Sequence, residues 1–346
     1  MNKVRIPTLC DLHVHLREPG FEYKEDITSG VKAAYCGGYG DIVAMPNTDP
    51  PVDNLSTINY IRGKLIDSPV NVIQAACITR GMRGQTLADF AMYKDYGVKV
   101  VSDDGKPVLS NALMEAALLK AKRYGLLVFD HCEDPSLPAS HPASETVIVA
   151  RDIALSRCLD TKVHICHVSA KESVQMIRAA KRDGVQITCE TAPHYLVYTS
   201  DKLKTNDADY KMNPPLRTEE DRQALIKGLK DGTIDCIATD HAPHSFEEKA
   251  SFKNAPNGVI GMETAFPAMY TFLVKTGELY LERLIYVMST RPREILGLAK
   301  TEKTIEWDLD EMWRVDVDKL HGKSKNCVFK NEVLYGKPTL ELDVDE

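Results

Sequence analysis

The chain has 346 residues, 43% hydrophobic and 27% charged, a balance that excludes disordered and fibrous classes and leaves room for one large barrel or two ordinary domains. A net charge of -7 argues against a nucleic-acid binder that relies on a basic surface. The opening stretch "MNKVRIPTLC" lacks the marks of a signal peptide and no apolar run approaches membrane-spanning length, so a cytoplasmic location is expected.

In chain order, eight short apolar, β-branched runs end in polar residues: "VRIPTLCDLHVH", "GDIVAMPN", "VNVIQAACI", "GVKVVSDD", "LLVFDHCE", "KVHICHVS", "VQITCETAPH" and "DCIATDHAPH". Between most of them lie stretches with helical spacing, namely "TSGVKAAYCGGY", "QTLADFAMYKDYG", "ALMEAALLKAKRYG", "ETVIVARDIALSRCL", "ESVQMIRAAKRDG" and "EEDRQALIKGLKDG". Several close on glycine, as helix C-termini often do. The "CGGYG" at 36–40 reads as one such stop and turn. Near-continuous apolar strands alternating with helices predict a parallel sheet covered by helices. Eight of them predict an α/β fold, a (β/α)8 TIM-like barrel over residues 8–300. Residues 1–7 and 301–346 remain as terminal segments, and strand-like pieces in the tail predict a small β appendage there.

His13 and His15, Asn47, Asp103 and Asp104, His131, His167, His194, and Asp240 with His241 all lie at or just past the C-terminal ends of these runs. A barrel gathers those ends into one mouth, where active sites of this fold sit, whereas an open sheet spreads them along an edge. No G-x-G-x-x-G or Walker-type loop follows any run, which weakens a nucleotide-binding reading. His13 and His15, two apart on a strand, face the same way and can hold one metal ion together. Four histidines and a carboxylate at the ends of runs one, five, six and eight extend that pair to a ligand set for zinc or a similar divalent ion. His164 alternates out of phase with this row, and His141 and His321 lie in loop or tail; all three are set aside. Nine cysteines without a CxxC pair read as reduced thiols. Cys132 and Cys166 adjoin histidines of the row and are expected to pack behind it.

The motifs "DLHVHLREPG", "AMPNTDPP", "SDDG", "DHCE", "ICHVSAKES", "YKMNPPLR" and "IATDHAPHSFEEK" resemble those of the class I dihydroorotases of the amidohydrolase superfamily. The resemblance runs from the first strand to "RPREILGL". It implies a zinc-dependent ring amidase of pyrimidine biosynthesis, interconverting N-carbamoyl-L-aspartate and L-dihydroorotate. It further implies that His13, His15 and Asp240 bind a first zinc and His131 and His167 a second. The bridging ligand is Asp104 of the intact "SDDG", or, as the alternative, a carboxylated Lys99. Substrate contacts implied are His15, Arg17, Asn47, Asn213, His244, Asn257 and Gly258. Arg17 follows His15 by two positions and points the same way if the strand persists, so its guanidinium can hold a substrate carboxylate. Asp240 is expected to be the general acid/base, moving a proton between the attacking water and the leaving nitrogen. His194 is a supporting candidate.

Many relatives carry a larger β domain built from both chain ends; the short N-terminal stretch here predicts a reduced one. The resemblance also raises a homodimer and an association with aspartate transcarbamoylase. Two rival readings share parts of the pattern. A hydantoinase or allantoinase has the same metal site, and an inactive structural partner of aspartate transcarbamoylase would have lost ligands.

Overall fold

The computed structural model describes residues 3–339. The first predicted strand is two strands. Lys3–Pro7 (β1) and Leu9–Val14 (β2) belong to different sheets. Pro7 has no amide hydrogen to extend a ladder, and the Thr8 amide turns instead to the Lys303 carbonyl at 3.0 Å. The parallel strands continue as Tyr39–Ala44 (β3), Asn71–Gln74 (β4), Val100–Val101 (β5), Leu127–Asp130 (β6), Val163–Ile165 (β7), Ile187–Thr191 (β8) and Cys236–Ile237 (β9). Thr304–Arg314 (β10) and Val333–Thr339 (β11) join β1 in an antiparallel sheet of order β1-β10-β11. The last seven residues of the predicted tail, 340–346, lie outside the described residues, as do residues 1–2 of the N-terminal segment.

Helices follow the barrel strands: Ile27–Cys36 (α1), Leu55–Lys64 (α2), Phe90–Asp95 (α3), Asn111–Tyr124 (α4), Ala143–Leu159 (α5), Lys171–Arg182 (α6), Pro193–Val197 (α7), Glu219–Asp231 (α8), Ala265–Met269 (α9), Leu281–Ile285 (α10) and Arg291–Leu296 (α11). Their ends follow local rules. Asp26 and Ser29 form a reciprocal capping box on α1, and Thr218 and Asp221 form another on α8. Gly125 and Gly232 end α4 and α8 in left-handed conformation. The helix α2 escapes the periodicity because it buries only Thr57, Ile58 and Ile61 and carries polar residues elsewhere. No described helix is long and apolar enough to cross a membrane.

The eight parallel strands form two ladders, β2-β3-β4 and β5-β6-β7-β8-β9. Single bridges, Ala76 to Val101 and Val14 to His241, close the ring at the two remaining junctions. Each junction is strapped by a buried aspartate. Asp103, after β5, accepts from the amides of Ile78 (2.8 Å) and Thr79 (3.1 Å) and from the Thr79 hydroxyl. Asp11, in β2, accepts from the Thr239 amide (3.0 Å), the Thr239 hydroxyl (2.6 Å) and the His13 amide (3.1 Å). Inside the ring, Cys10, Leu12, Val43, Met45, Ala75, Val100, Phe129, Cys166, Cys236 and Ala238 pack together, with Leu296 from α11 beneath them. The larger outer core lies between strands and helices. Trp307 of β10 joins it, fully buried against Phe266 with ring centroids 4.3 Å apart, and so anchors the antiparallel sheet to the barrel.

Replacing Asp103 by Ala removes the acceptor of two buried amides and a hydroxyl. The expected cost is at least about 3 kcal/mol, because each of the three orphaned buried groups forfeits roughly 1–3 kcal/mol. A thermal midpoint equal to that of the unchanged protein would show that the strap contributes nothing.

Candidate active site

At the C-terminal mouth of the barrel a cavity of about 220 Å3 is lined by His15, Arg17, Asn47, Asp104, Gly105, His131, His167, Asn213, Asp240, Ala242, His244, Asn257 and Gly258. Of the residues singled out for binding or catalysis, His13 is fully buried beneath it, Lys99 and His194 do not line it, and all the others do. Asp104 lies at the centre. Its carboxylate is 3.3 Å from His13 Nε2, 3.5 Å from His15 Nε2, 3.4 Å from His131 Nδ1 and 3.4 Å from His167 Nε2. Asp240 Oδ1 is 3.2 Å from His15 Nε2 and 3.7 Å from His13 Nε2. Two overlapping donor groups result, His13 with Asp104 and His167, and His13 with His15 and Asp240, each with ligand atoms within 4.8 Å of one another.

Hydrogen bonds on the far side of the rings fix their tautomers. His13 Nδ1 donates to Glu190 Oε1 (2.9 Å), His15 Nδ1 to Asn47 Oδ1 (2.9 Å) and His131 Nε2 to Glu133 Oε2 (3.0 Å), since carboxylate and amide oxygens only accept. In His13 and His15 the other nitrogen faces Asp104 and Asp240, and in His131 it faces Asp104 at 3.4 Å and His167 Nε2 at 2.9 Å. His13 Nε2, buried and without a hydrogen-bond partner, is the orphan that a metal ion would satisfy. The donor set of imidazoles and carboxylates suits zinc or a related divalent ion.

Electrostatics follows the same geometry. Burial alone would raise the Asp104 carboxyl, but His13, His131 and His167 outweigh it and hold it well below the usual carboxylate range. Burial likewise works against ionised Asp240, and His15, His13 and His167 more than reverse it. Asp104 and Asp240 therefore stay ionised, as ligands must. Burial pushes the Arg17 guanidinium down to about 10, so it remains a cation throughout the physiological range.

Several placements differ from the alternation argument. The strand β2 stops at Val14, so Arg17 does not continue the row; it reaches the mouth through left-handed backbone (φ +64°), with Nε donating to the Pro243 carbonyl at 3.1 Å. His167 has φ +33°, which breaks alternation after β7. As a result Cys166 packs inside the ring with its thiol near His13 and Glu190, not behind the site. Cys132 does pack behind, against Asp130 and Asp152. His164, set aside as out of phase, is buried and lies 3.2 Å from Glu190 Oε2, on the opposite side of that carboxylate from His13. Lys99 is exposed at the start of β5, beside Asn71, Gly97 and Leu298, at the opposite end of the barrel from Asp104. It is therefore not positioned to bridge the cluster. Asp103 is the strap described above. His194 is buried with Nε2 unpartnered, and burial pushes it down to about 4, so its ring is neutral.

The rim is built from three segments. Asn213 Nδ2 donates to Glu133 Oε2 at 2.9 Å, joining the rim to the carboxylate that orients His131. His244 Nε2 lies 2.8 Å from the Asn257 carbonyl and 3.3 Å from an Arg17 terminal nitrogen. Gly258 has φ +137°, and a Cβ there would stand 2.7 Å from the Ala242 side chain, so only glycine lets this segment close on the mouth. Glu133, Glu190 and Asn326 were not singled out from the sequence. Glu190 had a usable signal, a carboxylate inside an apolar strand, which needs a partner when buried.

Imidazoles locked with their lone pairs converging on shared carboxylates, at the mouth of a closed parallel barrel, put this chain among the metal-dependent amidohydrolases. Solved structures share the fold. L-hydantoinase from Arthrobacter aurescens superposes with a TM-score of 0.85 at 23% identity, covering 97% of this chain and 83% of that one. Dihydropyrimidinase from Brevibacillus agri gives 0.85 at 21% identity, covering 98% and 83%. The chain belongs to the dihydroorotase family. It is 44% identical to the dihydroorotase of Brevibacillus brevis in an alignment of 363 positions that covers 96% of this chain and 85% of the relative. It is also 41% identical to that of Ruminiclostridium cellulolyticum over 358 aligned positions, covering 96% and 84%. The family model described as "Dihydro-orotase-like" matches residues 2–141.

Glu190→Gln should lower affinity for zinc about 10- to 100-fold, the usual effect of removing a carboxylate that orients a ligating histidine. Competition with a chromophoric chelator measures it, and an unchanged dissociation constant would remove Glu190 from the metal-supporting set.

Proposed function

We propose that the protein is a zinc-dependent dihydroorotase that interconverts N-carbamoyl-L-aspartate and L-dihydroorotate. The observation that carries the substrate choice is Arg17, a buried guanidinium lining the same small cavity as Asp104 and Asp240. A buried cation beside a metal cluster favours a substrate with a carboxylate of its own, which hydantoin and dihydrouracil rings lack. A structural homologue stripped of ligands is disfavoured, since His13, His15, Asp104, His131, His167 and Asp240 are all gathered.

In this reading zinc would be held by His13, His15 and Asp240 and by His131 and His167, with Asp104 completing the ligand set. When bound, zinc supplies Lewis acidity that polarises the reacting carbonyl and acidifies water. Arg17 binds the carboxylate that stays outside the ring, with Asn47, Asn213, His244 and the Asn257–Gly258 backbone enclosing the rest. Asp240 carries the proton. During ring opening, water adds to the ring carbonyl carbon, its proton passes to Asp240, the carbon–nitrogen bond breaks, and the proton is returned to the departing nitrogen. During ring closure the ureido nitrogen attacks the carbon of the protonated side-chain carboxyl, gives its proton to Asp240, and Asp240 passes it to the departing hydroxyl, which leaves as water.

Asp240→Asn is expected to lower kcat by at least about 100-fold, since general acid/base transfer alone contributes roughly 10²–10⁴. Near-normal turnover of dihydroorotate would end this assignment. Arg17→Met tests the substrate choice. Loss of a charge-assisted hydrogen bond of about 1.5–3 kcal/mol predicts a fall of roughly 10- to 150-fold in kcat/KM for dihydroorotate, with any turnover of uncharged dihydrouracil unaffected. Equal losses on both substrates would mean that the carboxylate is held elsewhere.

A further inference from the structure

A second convergence of ligand atoms lies away from the barrel mouth and shares no residue with it. Cys36, the last residue of α1, Glu263, in the loop before α9, and His321, between β10 and β11, bring a sulfur, a carboxylate oxygen and a ring nitrogen within 4.8 Å of one another. All three line a cavity of about 930 Å3, together with Trp313 and Leu320. The thiol is buried, whereas the imidazole side chain is 31% exposed, so the cluster is open to a small solute from one side.

Close backbone approaches fix the three donors. A Cβ on Gly37 would meet the Met262 carbonyl oxygen at 2.4 Å, so glycine is needed for the end of α1 to seat against the residue preceding Glu263. A Cβ on Gly322 would fall 2.8 Å from the Glu25 carboxylate, so the residue following His321 is likewise seated against the barrel side. Glu263 takes both the His321 amide and His321 Nδ1, each at 2.7 Å. A histidine–carboxylate pair needs no third partner, and a buried cysteine satisfied by apolar neighbours needs no imidazole. Brought together from segments far apart in the chain, the three kinds of donor suit a ligand that uses sulfur, nitrogen and oxygen together. A zinc-class divalent cation does so, taking Cys, His and carboxylate and leaving a fourth position for water.

We propose that Cys36, Glu263 and His321 form a binding site for a thiophilic divalent cation, distinct from the catalytic cluster, that ties the C-terminal segment to the barrel. On binding, the sulfur–metal bond replaces the sulfur–hydrogen bond and the proton leaves to solvent. Burial, then Glu263, pushes the free thiol up to about 11, so without a cation the cysteine is protonated and the cation must displace that proton.

The test uses the full-length protein with its catalytic cluster loaded with zinc, titrated with Co2+. Two quantities are read, the thiolate-to-cobalt charge-transfer absorption and the total metal bound per chain. Because Cys166 lies near His13, the difference between variants decides, not the presence of absorption alone. The unchanged protein should bind one more equivalent than Cys36→Ser, and the absorption should disappear in Cys36→Ser and weaken in His321→Gln. Both variants should keep dihydroorotate turnover, which reports that they are folded. His321→Gln alters a partly exposed side chain and serves if Cys36→Ser fails to fold. Equal metal content and equal absorption in the unchanged protein and the variants would overturn the proposal, as would an unchanged protein that shows no thiolate band.

Discussion

One buried carboxylate, Asp104, faces imidazoles from three different strand ends, and the mouth of the barrel is organised around keeping it ionised. Removing a carboxylate from water is costly unless opposite charge and hydrogen bonds replace the solvent. Here four ring nitrogens stand within 3.5 Å of it. Those rings would repel one another if all were protonated at once, and a metal ion held among them would need neutral imidazoles whose acceptor nitrogens converge. The outer partners Glu190, Asn47 and Glu133 enforce that choice by accepting the hydrogen from the far nitrogen. The state of the inner ligands is thus decided one layer further out.

The rim depends on groups more distant still. Asn326, from the C-terminal segment, donates to the carbonyls of Ala242 (3.3 Å) and Gly258 (3.0 Å) and accepts from the His244 amide (3.2 Å). Lys249, which burial pushes down to about 8, spans the carbonyls of Lys211, Pro256 and Gly258 at 3.1, 3.2 and 2.8 Å. Two side chains outside the cavity therefore hold the loop after β9, the Asn257–Gly258 segment and the approach to Asn213 in one arrangement. Residues 315–332, between β10 and β11, take part in shaping the mouth through this asparagine, even though their neighbouring strands lie in a separate sheet.

The parts of the site that follow strand periodicity were legible in the sequence. Polar residues ending apolar runs located the mouth, and the motif carrying His13 and His15 placed two imidazoles there. What alternation could not supply was the left-handed backbone at Arg17, His167 and Asp240. These positions turn a side chain inward that a regular strand would turn out, and this is why His164 and Cys166 were placed on the wrong side. The split of the first run at Pro7 was hidden because both halves are apolar. Lys99 failed for a different reason: it precedes a strand of two residues, and only the strand's true start shows which end of the barrel it occupies. Asn326 carries no local pattern, since its partners lie more than 65 residues away in the chain, and Glu133 joins His131, two residues away, to Asn213, 80 residues away.

The ladder pattern has a further consequence. In hydrogen-bonding terms the barrel consists of two shells, one of three strands and one of five, meeting at two seams. His13 and His15 ride on the smaller shell, whereas Asp104, His131, His167 and Asp240 ride on the larger. A cation shared among them would be a clasp across both seams, pulling together halves that the backbone alone joins by single bridges. Ring closure and assembly of the ligand set are then one event, and any ion that prefers the closed ring stabilises it by mass action. Asp11 and Asp103, two residues and one residue from a ligand, fasten the seams from beneath.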